Sequence, residues 1–139
     1  METRLEILVE PDLRAIRPAQ ARLRAFCAGH NVEDRIAAAM ELAVDEILSN
    51  IIRHACQSAM DIRCIAEVDN GQVAIVFTDN GAPFDPLTEA PAPNLTSGPD
   101  TAPLGGLGVH IAKELADDCG YRRADDRNYL EFRWKHGSG

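Results

Sequence analysis

Two strand-like runs, DIRCIAEVD (Asp61 to Asp69) and QVAIVFTD (Gln72 to Asp79), are separated only by Asn70-Gly71. Asn-Gly between such runs is the strongest short-range hairpin signal, so this part of the chain reads as an antiparallel ribbon. CGYRRAD and NYLEFRWK close the chain as a second hairpin, with Leu130, Phe132 and Trp134 on one face. RLEILVE (Arg4 to Glu10) alternates well enough for a first strand, which Pro11 stops. Strand pairs joined by tight turns favour a largely antiparallel sheet, and its apolar face needs helices to cover it.

The helices are legible between the strands. Leu13, Ile16, Leu23 and Phe26 recur at helical spacing up to Gly29. Asn31 reads as the N-cap of a second, long helix running to about His54, with Asp34 in its first turn. VHIAKELAD reads as a last helix. The order β-α-α-β-β-loop-α-β-β predicts an α+β, two-layer sandwich: a mixed, mostly antiparallel sheet with about three helices on one face.

At 139 residues, with no repeat and no linker, the chain is expected to form a single domain spanning 1–139. A net charge of −8 without a basic stripe argues against direct nucleic-acid binding. Arg122, Arg123, Arg127, Arg133 and Lys135 make the C-terminal end locally basic, which a solvated strand face explains as well as a binding patch does. Cys27, Cys56, Cys64 and Cys119 are scattered and form no C-x-x-C pair, so they read as reduced thiols of a cytoplasmic protein. No signal segment or membrane-spanning run is apparent, and no membrane association is expected.

Three stretches carry chemistry. In the long helix, Ile36, Met40, Ala43, Val44, Ile47 and Ile51 fall within an arc of roughly 100°. Glu46 and Asn50 stack one turn apart at the edge of that arc, where a helix borders a cleft. The carboxylate can take a proton from water or a hydroxyl, and the amide oxygen can ligate a hard cation. An isolated E-x-x-x-N is more often a pair of ordinary boundary residues, and His54, two turns on from Glu46, more often a capping or core residue. The second stretch is TDNGAPFDP, where a strand ends in Asp79 and Gly81 follows. This is either a turn after a strand, or a carboxylate beside a glycine that lets something flat lie against the backbone. The third is the glycine run Gly105, Gly106 and Gly108 ahead of the last helix, whose start is a natural phosphate seat. Between the second and third lies a proline-rich, aperiodic segment, read as a lid over about residues 86–104.

In this order the three stretches resemble the boxes of the Bergerat-type (GHKL) ATP-binding superfamily. ELAVDEILSNIIRHA resembles its N box, TDNGAPFDP its first glycine box and GGLGVHIAKELAD its second. The short length and the DNG…FDP form are most similar to the stand-alone anti-sigma-factor serine/threonine kinases. The resemblance implies the Bergerat ATP-binding fold, with ATP and Mg²⁺ as cofactors. It further implies that Glu46 is the general base, Asn50 ligates Mg²⁺, Asp79 accepts from the adenine amino group and Gly81 makes room for the ring. Gly106 and Gly108 would offer N–H groups to the phosphates. The implied partners are a sigma factor, sequestered, and an anti-sigma-antagonist protein, phosphorylated; relatives of this kind often form homodimers. Pro83 stands where many relatives carry a second glycine, a departure expected to stiffen the lid's entry. The alternatives are a catalytically silent ATP-binding regulatory module and a detached histidine-kinase ATP-binding domain.

Overall fold

The computed structural model describes residues 3–55, 60–89 and 107–135. Strand β1 (Arg4–Val9) leads through a 3-10 turn (Leu13–Ala15) into α1 (Ile16–Gly29) and α2 (Asp34–Asn50). The hairpin β2 (Ile62–Asp69) and β3 (Gln72–Asp79) follows, then the short α3 (Pro86–Glu89), α4 (Leu107–Leu115), and the hairpin β4 (Asp118–Ala124) and β5 (Arg127–Lys135). The strands form one sheet in the order β1-β2-β3-β5-β4, and every pairing is antiparallel.

Both hairpins turn over two residues. Asp69 pairs with Gln72 across Asn70-Gly71, with Gly71 at a φ of 77°. Ala124 pairs with Arg127, and Asp125 and Asp126 both take positive φ, 52° and 60°. Two left-handed residues make the primed turn whose twist matches that of the strands, and aspartate tolerates it better than most side chains.

Asn31 does not cap α2. It sits in the left-handed region at φ 55° and terminates α1 instead. The Val32 N–H donates to the Cys27 carbonyl at 3.0 Å and the Asn31 N–H to that of Ala28 at 3.3 Å, the paired bonds of a Schellman ending. Val32 and Cys27 are both buried, supplying the apolar contact that accompanies this motif. Glu33 stands at the N-cap of α2 without a side-chain cap bond. A short polar residue between two helices serves either end, and here the need for a left-handed residue after Gly29 decided which.

One face of the sheet packs on the helices. Ile7, Ile62, Cys64, Ile75, Phe77, Leu130, Phe132 and Trp134 line it, and all are buried. Phe132 lies between Phe77, met edge-on at 6.4 Å, and Trp134, stacked at 6.2 Å, both favoured aromatic geometries. The whole predicted arc of α2 is buried, and Ala39 and Leu48 widen it, because α2 packs on α1 and α4 as well as the sheet. The opposite face carries ion pairs such as Arg127–Asp61 at 2.8 Å and Arg133–Glu131 at 2.7 Å, with Arg122 over the Tyr129 ring. Arg122, Arg127 and Arg133 are therefore partnered along a solvated strand face, whereas Arg123 pairs with Asn128 on the helix-facing side. No helix among the described residues is long and apolar enough to cross a membrane.

Candidate functional site

The site lies where α2, the ends of β3 and β5, and the start of α4 meet. Cross-strand register builds its floor. Ile62, Asp79 and Asn128 are successive partners across β2, β3 and β5, so their side chains share the helix-facing side of the sheet. Ile62 is apolar, as a core row should be; Asp79 and Asn128 are polar, and both are buried at 3% and 4% exposure. Buried polar groups persist where they are bonded or where they serve a ligand.

Asp79 does both. Its Oδ1 accepts from the Gly81 N–H at 2.9 Å and from the Asn128 Nδ2 at 3.0 Å. Among the described residues nothing donates to Oδ2. The residue lines a cavity walled by Ile47 and Ile51 of the α2 segment and by Phe77, Phe84, Pro86 and Leu130. Tyr121 and Asn128 complete the lining, and the cavity is nearly closed at about 10 Å³, so a flat heterocycle presenting an N–H edge to Asp79 would have to open it.

Helix α2 carries the second part of the site. Asn50 is 8% exposed, and its Nδ2 has no partner among the described residues. Such an orphaned buried amide costs about 1–3 kcal/mol, which a ligand could recover. Beyond Asn50 the helix widens into a π turn, Ile51–Ala55, a feature frequent at functional sites. Glu46 is half-buried, and burial pushes its carboxyl above the usual range, with Asp45 adding to the effect and Arg53 opposing it. Neither residue belongs to a group of three or more His, Cys, Asp or Glu side chains among the described residues. A cation held by Asn50 would suit Mg²⁺, which usually takes its remaining ligands from phosphate and water oxygens.

Gly108, at the start of α4, lies directly against Glu46. A Cβ there would stand 2.0 Å from Glu46 Cγ and 2.5 Å from Oε1. Its φ is not positive, so glycine is favoured here by the close approach of the Glu46 side chain and not by backbone conformation. Sequence reasoning treated Glu46 and Gly108 as members of separate motifs; in the fold they touch. Gly81 is held by its own backbone, its N–H on Asp79 and its carbonyl accepting from Arg123 Nη1 at 2.7 Å. Gly106 and nearly all of the expected lid lie outside the described residues; of the lid only 86–89 is described, as α3. His54 falls within the π turn.

Asn128 was not singled out from the sequence. Its Nδ2 also donates to the Ala82 carbonyl at 2.9 Å, and its Oδ1 accepts from Tyr121 Oη and, at 3.3 Å each, from the Phe84 N–H and Arg123 Nη1. The only available signal was its place at the head of an apolar strand. Its meaning depends on β5 lying next to β3, which the sequence does not state.

The chain belongs to the histidine kinase-like ATPase domain family, which it matches over residues 9–134. It is 32% identical over 98 residues to the serine/threonine-protein kinase BtrW of Bordetella bronchiseptica, covering 69% of this chain and 68% of that protein. It is 30% identical over 86 residues to the anti-sigma F factor of Pasteuria penetrans, covering 60% of this chain and 57% of that protein. The crystal structure of the RsbU and RsbW domains of Rv1364c from Mycobacterium tuberculosis shares the fold, with a TM-score of 0.70 at 16% identity. That match spans 99% of this chain but 34% of the longer one. The chain is thus a Bergerat-type ATPase domain related to anti-sigma-factor kinases.

Proposed function

We propose that this protein is a serine/threonine kinase of the anti-sigma-factor type, which binds ATP with Mg²⁺ and phosphorylates an antagonist protein. When not so engaged it sequesters a sigma factor. The observation that carries the catalytic part is Glu46: a half-buried carboxylate with a raised pKa, pressed against the glycine that opens α4. A module that only binds nucleotide has no use for a basic carboxylate there. The two relatives bear the names of a serine/threonine-protein kinase and of an anti-sigma factor, which supports the pairing of activities.

Bound ATP–Mg²⁺ supplies the γ-phosphoryl group and a cation that neutralises phosphate charge. Each side chain then has one task. Asp79 accepts from the adenine amino group with Oδ2, Gly81 lets the ring approach, and the apolar walls exclude water from it. Asn50 ligates the cation through its amide oxygen. Gly108 at the α4 start and, by the family resemblance, Gly106 would offer backbone N–H groups to phosphate oxygens. Glu46 removes the proton from the attacking serine or threonine hydroxyl as the new P–O bond forms and the bond to the ADP oxygen breaks. Lengthy covalent chemistry is not needed, because phosphoryl transfer depends mainly on positioning and charge.

Incubation with γ-labelled ATP, Mg²⁺ and a candidate antagonist tests the proposal. Acid-stable label on the antagonist is expected. Acid-labile label would point to a histidine kinase domain acting in trans, and ATP binding without any transfer to a confirmed partner would point to a silent regulatory module.

Gly108→Ala makes a second expectation. Alanine is favoured over glycine within a helix by about 1 kcal/mol, so the fold should tolerate it. The added Cβ must nevertheless push the Glu46 side chain aside. Displacing a catalytic group by about 1 Å can cost roughly 10²-fold, so transfer should fall by about 10- to 100-fold with ATP affinity little changed. In a Glu46→Gln background the same change should add almost nothing. An equal loss in both backgrounds would mean that Gly108 acts independently of Glu46.

A further inference from the structure

Asn128 uses every hydrogen-bonding position of its amide. One N–H₂ reaches two acceptors, the Asp79 carboxylate at 3.0 Å and the Ala82 carbonyl at 2.9 Å. One oxygen takes donors from Tyr121, Arg123 and the Phe84 N–H. The residue therefore joins the end of β3, the following loop at both Ala82 and Phe84, and two residues of the edge strand β4. Phe84 and Asp79 both line the cavity, so a single buried amide is bonded to its apolar and to its polar side. Arg123 adds a direct bond to the Gly81 carbonyl at 2.7 Å.

We propose that Asn128 is the specificity-determining positioning residue of this site: it fixes Asp79 so that only Oδ2 faces the ligand, and thereby selects a base that presents an exocyclic amino group. The proposal rests on the reading of Asp79 given above and extends it to a residue that reads no base itself. A carboxylate has two equivalent oxygens and rotates freely about its last bond unless something distinguishes them. Here the Gly81 N–H and the Asn128 N–H₂ both hold Oδ1. Without Asn128 one of these two anchors is lost, and the Ala82 carbonyl and the Phe84 N–H each lose their bond to it. Asp79 can then turn to accept from water or from a differently placed donor. The expected loss is therefore selectivity as well as affinity.

Titrating ATP–Mg²⁺ and ITP–Mg²⁺ tests this, because hypoxanthine replaces the amino group by a carbonyl that would face the carboxylate. Wild type should prefer ATP by roughly 10²-fold, the worth of a hydrogen bond to a charged group plus an avoided acceptor–acceptor clash. Asn128→Ala should bind ATP about 10-fold or more weakly and compress the ratio to within about fivefold. A merely structural role would weaken both nucleotides alike and leave the ratio intact, which would overturn the proposal. If wild type does not distinguish the two nucleotides, the Asp79 reading itself fails.

Asn128→Asp supplies a second variant that keeps the shape. When protonated, the new carboxyl can donate to Asp79 Oδ1 as the amide did; when both carboxylates are ionised they repel. A like charge raises the pKa of such a pair, while Arg123, the Tyr121 hydroxyl and the Phe84 N–H, which face the same oxygen, lower it. Burial raises the Tyr121 pKa, so it remains a donor throughout the neutral range. ATP affinity and the ATP:ITP ratio of this variant should therefore approach wild type at acidic pH and fall as the pair ionises, beyond any change wild type shows over the same range. A pH-independent ratio in Asn128→Asp equal to that of wild type would overturn the proposal.

Discussion

Asp79→Asn will bind ATP–Mg²⁺ more weakly than wild type by on the order of 10²- to 10³-fold, measured by calorimetry. The size follows from how the carboxylate is held. Two donors, the Gly81 N–H and the Asn128 N–H₂, converge on Oδ1. An asparagine at 79 keeps both bonds only by placing its oxygen there, which turns its own N–H₂ toward the cavity. A donor then faces the adenine amino group, so the variant loses one hydrogen bond to a charged acceptor and gains a donor–donor conflict. The opposite rotamer would present its N–H₂ to two protein donors, which is no better. Because the first rotamer preserves the internal bonds, thermal stability should change little. Unchanged ATP affinity in a folded variant would remove the adenine assignment.

Glu46→Gln should separate binding from chemistry. The amide keeps the side chain's shape against Gly108, and the adenine contacts lie elsewhere, so nucleotide affinity should stay within a few-fold. Transfer to an antagonist should fall by roughly 10²- to 10⁴-fold, the usual worth of a positioned general base. The pH dependence sharpens the test. A base works only when deprotonated, and burial, reinforced by Asp45, raises the Glu46 pKa. Wild-type single-turnover transfer should therefore decline as pH falls through a value above the ordinary carboxylate range. The variant should lack that limb. Transfer at near wild-type rate by Glu46→Gln would rule out Glu46 as the base.

Much of this site was legible as fragments. The i,i+4 spacing of Glu46 and Asn50 at the edge of an apolar arc was readable because helical period alone places them, although Asn50 proves to be buried with that arc. Asp79 was readable because an apolar strand ends there. What could not be read was the meeting of these fragments. Asn128 acquires its role only because β5, made last, inserts beside β3, so that the residue forty-nine positions on becomes the direct neighbour of Asp79. Gly108 had looked like a glycine for phosphates; the close approach of Glu46 supplies a steric requirement of its own. The misplaced N-cap at Asn31 has the same origin. Local chemistry allowed it to end one helix or begin the next, and the Schellman bonds to Cys27 and Ala28 chose the former.

By itself, then, the sequence determined the elements whose information is local: alternation for the strands, two-residue turns for the hairpins, a 3.6-residue period for the helices, and the order in which the three ATP-binding boxes occur. Tertiary structure alone decided strand order, the partner of every buried polar group, and which side chain fills the space a glycine leaves open. Those depend on contacts between residues far apart in the chain, and such contacts form only when burial of one shared apolar core brings their elements together.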